Sequence, residues 1–435
     1  MPSRREFLKS AGALAGARIA SSAAPARKPN ILFILPGGWR AQHLDDDLRL
    51  PNLEALAKQG TQFERLYSCY PLAAPARAAL VTGRFPSVCG VPRDGVRLPI
   101  DQPSIADQLR RAGYRTGYIG EWLLDGVEEP GFVPPGPRRH GFEYWAAFNR
   151  GHRYFDSIYF HDTLQPIRPT GFEPDYQTDL AIDFIKQSGS KPFYLFLAWG
   201  PPHPPLKPVP DRFAQLYDPR EIRLRANVPP EQEVSARDNY AHYYVLCSIL
   251  DHNLGRLVGA LGDQHLAENT IVVLTSDSGD MLSSHGLEAD NQPFEEAVRV
   301  PLIIRYPATG TAGSKNDALV STVDLMPTLL RFCGVDIPEG VQGLDVSAHR
   351  ESVYSSGKLG EPEEWRMVVR GLDKLVVDRE LSVTHLYNLG QDPFEMENLA
   401  RDVSQDLKRD ELKALLKEWM RYSGDGMDPS GLKKR

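Results

Sequence analysis

Five short, unbroken apolar runs recur along this chain of 435 residues and constrain its fold more than any other feature. Unbroken runs are typical of strands buried on both faces of a sheet, whereas a strand with one face in water alternates apolar and polar residues. Helical patterns and long loops separate the runs. This alternation predicts an α/β fold in which a large mixed or parallel sheet is sandwiched between helices. The runs are residues 30–35, 114–119, 193–199, 270–275 and 301–305.

The pattern changes after about residue 345. Short segments with strand character at 367–370, 374–378 and 386–389 precede a helical pattern over 404–422. They predict a smaller C-terminal antiparallel sheet with a terminal helix. We therefore expect three parts, which are an N-terminal signal 1–26, an α/β domain 27–345 and a C-terminal α+β subdomain 346–435.

Composition and charge argue against several functional classes. Hydrophobic residues make up 41% of the chain and charged residues 25%, which are proportions of a folded globular protein. Fifty Lys and Arg face 57 Asp and Glu, a net charge of −7, so we expect no nucleic-acid partner, because such binding needs a basic face. No apolar run reaches the length of about 18 residues that a transmembrane helix needs.

The N-terminus has the pattern of an export signal. Arg4 and Arg5 precede a small apolar run at 11–17 and an A-x-A site at 24–26. This predicts a twin-arginine signal and a periplasmic or secreted protein. Arg18 interrupts the apolar run, so a basic leader without structure is the alternative.

The four cysteines are too few for a disulfide scaffold and form no C-x-x-C pair. Cys247 and Cys333 lie in apolar helical patterns and are expected in the core. Cys69 and Cys89 are left open by the sequence, either as a disulfide or as free thiols.

Five segments, in unbroken order between about residues 28 and 400, together resemble the sulfatase family of the alkaline-phosphatase-like superfamily. They are PNILFIL at 29–35, PNLEALA at 51–57, PARAALVTGRFP at 75–86, TSDSGD at 275–280 and LYNLGQDP at 386–393. In an open α/β sheet, ligands bind beyond the carboxyl ends of the strands, so the residues that follow each strand are the candidate site residues.

The resemblance implies a mechanism with three requirements. A divalent cation, usually calcium, is held by oxygen ligands and polarises a sulfate ester. A cysteine in a C-x-P-x-R motif is converted to formylglycine, whose hydrate is the nucleophile. Lysine, histidine and the motif arginine neutralise the charge of the sulfate and of the transition state.

The chain departs from this pattern at the nucleophile and at the metal. Ala73 stands at the cysteine position of the motif at 73–77, and a methyl group cannot be oxidised to an aldehyde. Cys69 lies outside the motif and is not a simple replacement. Gly37 and Gly38 stand where the family has paired aspartates, so the calcium ligands are mostly absent and we expect no bound cofactor.

The substrate positions differ as well. Glu121 stands where a lysine is expected and Leu123 where a histidine is expected, and a carboxylate at 121 would repel a sulfate. Ser278 replaces the Asn or His that would complete the metal shell. The second lysine is replaced by Asp290 or Asn291, two alternatives that the sequence alone does not separate.

Three expected functional residues remain, and each also has a structural explanation. Arg77 and His203 are the remnants of the catalytic and substrate-binding set, and Asp277 is the remnant of the metal site. A buried arginine persists where a carboxylate holds it, an aspartate caps a turn, and a lone histidine is more often ordinary than catalytic.

A rebuilt metal site is a weaker alternative. His43 with the acidic run 45–47, or Asp280 with His285, would have to supply its ligands. Consecutive acidic side chains in a loop do not converge on one point. Ser68 and Thr82 have no base beside them in sequence that would make either one a replacement nucleophile.

We therefore predict a catalytically impaired pseudo-sulfatase that binds a sulfated glycan, another anionic ligand or a protein partner in the old cleft. The alternative is an active sulfuric-ester or phospho-ester hydrolase with an atypical site. A third alternative is an interaction protein whose cleft is empty. The oligomeric state and the net charge of the pocket are left open.

Overall fold

A nine-stranded mixed sheet forms the centre of the computed structural model, which describes residues 28–41 and 47–425. Its strands are β1 Asn30–Gly37, β2 Thr61–Tyr67, β3 Arg115–Glu121, β4 Tyr144–Phe148, β5 Phe193–Pro202, β6 Thr270–Thr275, β7 Arg299–Arg305, β8 Ser314–Asn316 and β9 Val320–Ser321. Their order across the sheet is β4-β3-β5-β1-β6-β7-β2-β8, and β9 also pairs with β2. Because β1 pairs in parallel with both β5 and β6, the carboxyl ends of these three strands meet.

Alternate residues of β1 enter two separate hydrophobic cores, one on each face of the sheet. Ile31, Phe33 and Leu35 belong to one core, and Leu32 and Ile34 belong to the other. This arrangement is the reason why the strand is apolar throughout. The α-helices are α1 Pro51–Gln59, α2 Ala73–Thr82, α3 Pro86–Cys89, α4 Ile105–Arg111, α5 Glu173–Gln187, α6 Glu233–Asp263, α7 Glu295–Val298, α8 Leu325–Phe332 and α9 Asp406–Tyr422.

The helices divide between the two faces. Helices α2, α4 and α8 contribute to the core that contains Phe33, and α1, α5 and α6 contribute to the core that contains Leu32. The sheet is thus covered by helices on both sides, as the alternation of apolar runs and helical patterns predicted.

A four-stranded antiparallel sheet follows. Its strands β10 Ser352–Gly357, β11 Trp365–Arg370, β12 Asp373–Val377 and β13 Val383–Asn388 pair in sequence order. Helix α9 buries Leu412, Leu416, Trp419 and Met420, which are spaced by four, three and one residues and so share one helix face. The same hydrophobic cluster contains Leu375 of β12, so the terminal helix packs on this sheet.

The predicted α/β fold with a C-terminal antiparallel sheet and helix is confirmed. All five apolar runs are strands, whereas β2, β4, β8, β9 and β10 were not predicted. Strand β2 has the sequence TQFERLY and is only partly buried, so it lacks an unbroken apolar run. The division at 345/346 stays a prediction, and the predicted signal 1–26 lies outside the described residues.

All four cysteines are buried and free. Cys247 and Cys333 lie in the two large cores, as expected. Cys69 and Cys89 are thiols, which corresponds to the second of the two alternatives left open by the sequence. None of the helices in the described ranges combines the length and apolar character needed to cross a membrane.

Candidate functional site

The candidate site lies where β1, β5 and β6 end. Gly37 closes β1 and Gly38 follows it, His203 follows β5, and Asp277 comes two residues after β6. The His203 backbone N–H donates to the Gly37 carbonyl oxygen at 2.9 Å. The Gly38 N–H donates to Asp277 Oδ1 at 3.3 Å. The structure therefore brings these four residues together at the strand ends, where α/β proteins bind ligands.

Arg77, on the first half of α2, is held by two carboxylates. Its side chain is only 2% exposed, and Nη2 lies 3.2 Å from Asp277 Oδ2. Nη1 lies 3.8 Å from Glu121 Oε2 and also donates to the Glu121 carbonyl oxygen. The positive charge that would receive a sulfate is therefore engaged within the protein.

Glu121 is the last residue of β3 and points into this site. Gly151 N–H donates to its Oε1 at 3.1 Å. Burial raises the pKa of Glu121 to about 7, against the opposing effect of the Arg77 charge. Leu123, at the expected histidine position, is buried in the core that contains Phe33.

The structure distinguishes Asp290 from Asn291. Ser278 Oγ donates to Asp290 Oδ2 at 3.3 Å, so Asp290 faces the strand ends. Burial raises the pKa of Asp290, His203 opposes that shift, and the charges of Asp280 and Asp277 add to it. Carboxylates thus stand at both places where the resemblance expects lysine.

Asn291 instead contacts the C-terminal part of the molecule. Its carbonyl oxygen accepts from Trp365 Nε1 at 3.2 Å, and its N–H donates to the Pro71 carbonyl oxygen at 2.8 Å. The backbone of Asn291 is thus held by Trp365 and Pro71, and it is Asp290 whose side chain meets Ser278.

His203 has a partner that the sequence analysis missed. Its ring stacks on the ring of His152 with a centroid distance of 4.6 Å. His203 Nδ1 lies 2.7 Å from the Pro204 carbonyl oxygen, which can only accept, so Nδ1 carries a proton and donates to it. Burial, together with the positive charges of His203, Arg77 and Arg150, lowers the pKa of His152 to about 4. His152 is therefore neutral at pH 7.

The residues at the strand ends do not fit a calcium ion. Calcium takes six to eight oxygen ligands, and Gly37 and Gly38 offer no side-chain oxygen. Asp277 already accepts from Gly38 N–H, from Ser278 N–H at 2.9 Å and from Arg77. Ser278 Oγ is directed to Asp290.

Backbone atoms of neighbouring segments lie close to both glycines. A Cβ on Gly37 would lie 2.9 Å from the Gly200 carbonyl oxygen, which is closer than side chains normally approach backbone. Gly38 has φ +69°, a region that favours glycine, and a Cβ there would lie 3.3 Å from His203 Cα. An aspartate at 37 would therefore require the main chain to shift, and one at 38 would be strained by the positive φ.

The described residues around α2 offer no replacement nucleophile. Ala73, the first residue of α2, carries only a methyl group. Ser68 Oγ donates to the Asp277 carbonyl oxygen at 2.6 Å, and Thr82 Oγ1 donates to the Ala78 carbonyl oxygen at 2.7 Å. Burial raises the pKa of the Cys69 thiol to about 12, which keeps it protonated and unreactive.

The residues of the alternative metal sites lie only partly within the described ranges. Asp47 pairs with Arg223 at 2.9 Å, and His43, Asp45 and Asp46 lie outside the described residues. Within the described ranges, His285 groups with Glu296 and Glu395, not with Asp280, to bring three possible ligand atoms within 4.8 Å. Asp280, which the weaker alternative placed with His285, is not a member of this group.

The carboxylates of the group formed by His285, Glu296 and Glu395 are already paired with cations. Arg225 Nε lies 2.9 Å from Glu296 Oε1, and Lys374 Nζ lies 2.7 Å from Glu395 Oε1. His285 stacks on Phe294 at 4.1 Å. These contacts belong to the junction between the large sheet and the C-terminal sheet.

Solved structures define the class of fold. The yidJ protein of Bacteroides fragilis has a TM-score of 0.86 with 26% identity, and the match covers 96% of this chain and all of that one. A structure in complex with D-glucosamine-2-N,6-O-disulfate has a TM-score of 0.76 with 24% identity, covering 93% and 99%. The chain is thus an α/β protein with the sulfatase fold.

The sequence comparisons give the family. The Sulfatase family model matches residues 29–335, and the chain belongs to the sulfatase family. An ulvan-active sulfatase of Formosa agariphila is 32% identical over 74% of this chain, which spans only 64% of that protein's length. An N-acetylglucosamine-6-O-sulfatase of Bacteroides thetaiotaomicron is 26% identical, covering 96% of this chain and 91% of that protein.

Proposed function

We propose that this protein is a sulfatase-family member without formylglycine-dependent hydrolysis, and that its cleft binds a glycan. The proposal is carried by the contacts of Arg77, which is the cation that remains from the expected sulfate-binding set. It is held by Asp277 and Glu121. Charge stabilisation of a leaving sulfate contributes several kcal/mol in working sites, and here that charge is already engaged.

The missing nucleophile supports the same proposal. The Ala73 methyl cannot form a covalent intermediate, and the strand ends lack the carboxylates that would hold calcium. Loss of one of these three requirements can merely adjust the rate of an enzyme. Loss of the nucleophile, the metal ligands and the lysines removes each main contribution to the rate.

The charges of the cleft narrow the expected ligand. Glu121 and Asp290 face the place where a sulfate would lie, and Asp277 lies behind them. We infer that the ligand presents hydroxyl groups to these carboxylates, and that any sulfate group on the ligand lies away from the centre of the cleft. Relatives whose names specify ulvan and N-acetylglucosamine support a glycan as the class of ligand.

Purified protein tests the proposal directly. Aryl sulfate and aryl phosphate esters are supplied with Ca²⁺, Mn²⁺ or Zn²⁺, and we expect no turnover above that of a His203→Ala variant. In parallel, thermal shift with sulfated and desulfated oligosaccharides reports binding. A ligand at 100 times its Kd stabilises the protein by about 2.7 kcal/mol. Turnover that the variant abolishes contradicts the proposal, and so does the absence of any shift.

A hydrolase with an atypical site is the second candidate. The names of the relatives favour it, since they are sulfatases. The pKa of Glu121, raised to about 7 by burial, would suit an acid or base near the two histidines. In that case Glu121→Gln would abolish the turnover described above while leaving the fold intact.

Export through a twin-arginine signal is part of the proposal. The Arg4-Arg5 pair and the site at 24–26 support it. Fractionation of producing cells, with an Arg4→Lys/Arg5→Lys variant as the control, tests it. Equal amounts of both proteins outside the cytoplasm would contradict it.

A further inference from the structure

Residues 150–154 come shortly after β4 and contact two groups of the candidate cleft. The Gly151 N–H donates to Glu121 Oε1 at 3.1 Å. The His152 ring stacks on the His203 ring with a centroid distance of 4.6 Å and an angle of 25° between the ring planes. The middle of this segment, which we call the strap, therefore lies directly on a carboxylate and an imidazole of the cleft.

Both ends of the strap are fixed. Before it, the buried Asn149 side chain donates to the Gly126 and Glu128 carbonyl oxygens, both at 3.0 Å. At its other end, the buried Tyr154 donates through Oη to the His203 carbonyl oxygen at 2.7 Å. Any movement of the strap is therefore confined to the residues between these two anchors.

The middle of the strap has empty space beside it. A cavity of about 280 Å³ is lined by Arg150, Gly151 and Arg153 of the strap, and its lining also includes Phe148 and Ile158. Closely packed segments cannot move without displacing their neighbours, whereas the strap borders space that it can enter.

A third contact of the strap is an ion pair near the surface. Arg150 Nη2 lies 3.2 Å from Asp94 Oδ2, and the two side chains are 23% and 38% exposed. Exposed ion pairs contribute little to stability. The attachment of the strap to the cleft therefore depends mainly on the Gly151 hydrogen bond and on the histidine stack.

The histidine stack depends on the absence of a proton from His152. Burial, with the positive charges of His203, Arg77 and Arg150, lowers the pKa of His152 from 6.5 to about 4, so this ring is neutral at pH 7 while the strap is closed. A strap that left the cleft would restore the usual pKa of about 6.5, and acid therefore favours the open position. The other charged groups near the stacked rings are Asp280 and Asp290, which interact with His203.

Glu121 responds to acid in the same direction. Its pKa is raised to about 7 by burial, whereas the Arg77 charge and the Gly151 N–H favour the ionised carboxylate. Hydrogen bonds to a charged group are stronger than neutral ones, so a proton on Glu121 weakens its bond with Gly151. Both contacts of the strap therefore loosen between about pH 7 and about pH 5.

We propose that the strap is an acid-released cover of the cleft. At neutral pH, His152 lies on His203 and Gly151 engages Glu121, so the strap shields both groups from a ligand. In acid, a proton on His152 is repelled by the charges of His203 and Arg77, and the strap moves into the cavity beside it. The inference rests on the proposed glycan-binding function, because it describes the regulation of that same site.

Hydrogen–deuterium exchange followed by mass spectrometry tests the movement without a ligand, after correction for the intrinsic effect of pH on exchange. The reporter is the Gly151 amide, which the closed strap protects. Because the His152 ring is partly exposed, solvent screens the charges around it. We expect protection of the strap to fall about tenfold between pH 7.5 and pH 5.

His152→Phe is the decisive variant, because phenylalanine keeps a ring for the stack but takes up no proton. Its strap should hold its protection within about threefold over the same pH range. His349→Phe changes an exposed histidine outside the cleft and is the matched control, which should behave like the parent.

Ligand affinity gives a second readout. The sulfated and desulfated oligosaccharides of the thermal-shift experiment are compared at the two pH values. In the parent, an oligosaccharide that binds should do so about tenfold more tightly at pH 5 than at pH 7.5. In His152→Phe the two affinities should agree within about threefold.

The outcomes separate this inference from the proposed function. Protection that is unchanged in the parent, or that falls equally in His152→Phe, overturns the strap and leaves glycan binding by the cleft intact. An oligosaccharide that binds the parent equally at both pH values overturns the role of the strap as a cover. Failure of every oligosaccharide to bind overturns the proposed function instead, and the exchange result would still establish the movement of the strap.

Discussion

Two buried charged clusters in this molecule differ in their balance. At the junction between the sheets, Lys374 lies 2.7 Å from Glu395 and 3.2 Å from Glu295, Arg299 lies 3.4 Å from Glu295, and Arg225 lies 2.9 Å from Glu296. The junction thus sets three cations against three carboxylates, namely Lys374, Arg225 and Arg299 against Glu295, Glu296 and Glu395.

The cleft is not balanced in this way. Arg77 faces Asp277 and Glu121, and Asp290 adds a further carboxylate at the same strand ends. The difference teaches that burial alone does not make a charged cluster structural. The junction is arranged to hold the fold together, whereas the cleft carries an excess of acid that destabilises the protein unless a proton is bound.

The largest expected effect is a loss of stability when one cation is removed from the balanced cluster. Burial lowers the pKa of Lys374, but the charges of Glu395 and Glu295 outweigh burial and raise that pKa above its usual value. Lys374→Met would leave these carboxylates without this cation, and we expect a loss of about 3–5 kcal/mol in the free energy of unfolding. Urea denaturation measures it. Lys315→Met, which removes a pair with Glu64 at a side chain that is 69% exposed, is the control and should cost about 0–1 kcal/mol. Equal losses in both variants would contradict the structural role.

The second largest expected effect is a gain in the free energy of unfolding, and it concerns Glu121 in the cleft. The pKa of Glu121 is raised by burial from 4.5 to about 7 in the folded protein, so the folded state keeps a proton that the unfolded state loses. Stability therefore falls as pH rises from about 4.5 to about 7 and stays lower above that. Glu121→Gln should remove this contribution and stabilise the protein by about 3 kcal/mol at pH 8, at 1.36 kcal/mol for each pKa unit.

Unfolding at pH 5 and pH 8 measures this effect, with the exposed Glu128→Gln as the control. The control should show the pH dependence of the parent. A Glu121→Gln variant that is less stable than the parent at pH 8 would mean that the ion pair with Arg77 outweighs the burial of the carboxylate.

A smaller effect concerns ligand charge. Glu121→Gln combined with Asp290→Asn removes two negative charges at the place where a sulfate would lie, and we expect about a tenfold gain in affinity for phenyl sulfate. Calorimetry at low ionic strength measures it. Glu128→Gln combined with Glu363→Gln changes the net charge equally at exposed positions. An equal gain in that control would assign the effect to the overall charge and not to the cleft.

The last prediction is that restoring the motif cysteine has no effect on aryl sulfate turnover. Ala73→Cys restores the motif cysteine, and mass spectrometry after coexpression with a formylglycine-generating enzyme reports whether the aldehyde forms. Even then we expect aryl sulfate turnover to remain at background, since Arg77 is engaged and the calcium ligands are missing. Turnover in the modified variant would show that the nucleophile alone was lost.

Much of the fold follows from the sequence because buried parallel strands have a local pattern. Strand ends also follow, which is why Gly37, His203 and Asp277 were expected near each other. His152 was missed because its loop has no periodic pattern, and only the folded chain places its ring on His203.

The balance of charge in the site could not be predicted from the sequence. Asp290 and Asn291 are neighbours in sequence, and a backbone turn decides which of them meets Ser278. The sign and strength of a buried charge depend on such long-range contacts, since burial sets the cost of ionisation.

The close approach of Gly37 to the Gly200 carbonyl oxygen bears on how the protein can evolve. An aspartate could not simply return at position 37 by one substitution, because the space for its Cβ has been taken by main chain. A Gly37→Asp substitution would therefore need β5 to shift before the new carboxylate could point toward a metal, so one substitution at this position would not by itself create a calcium site.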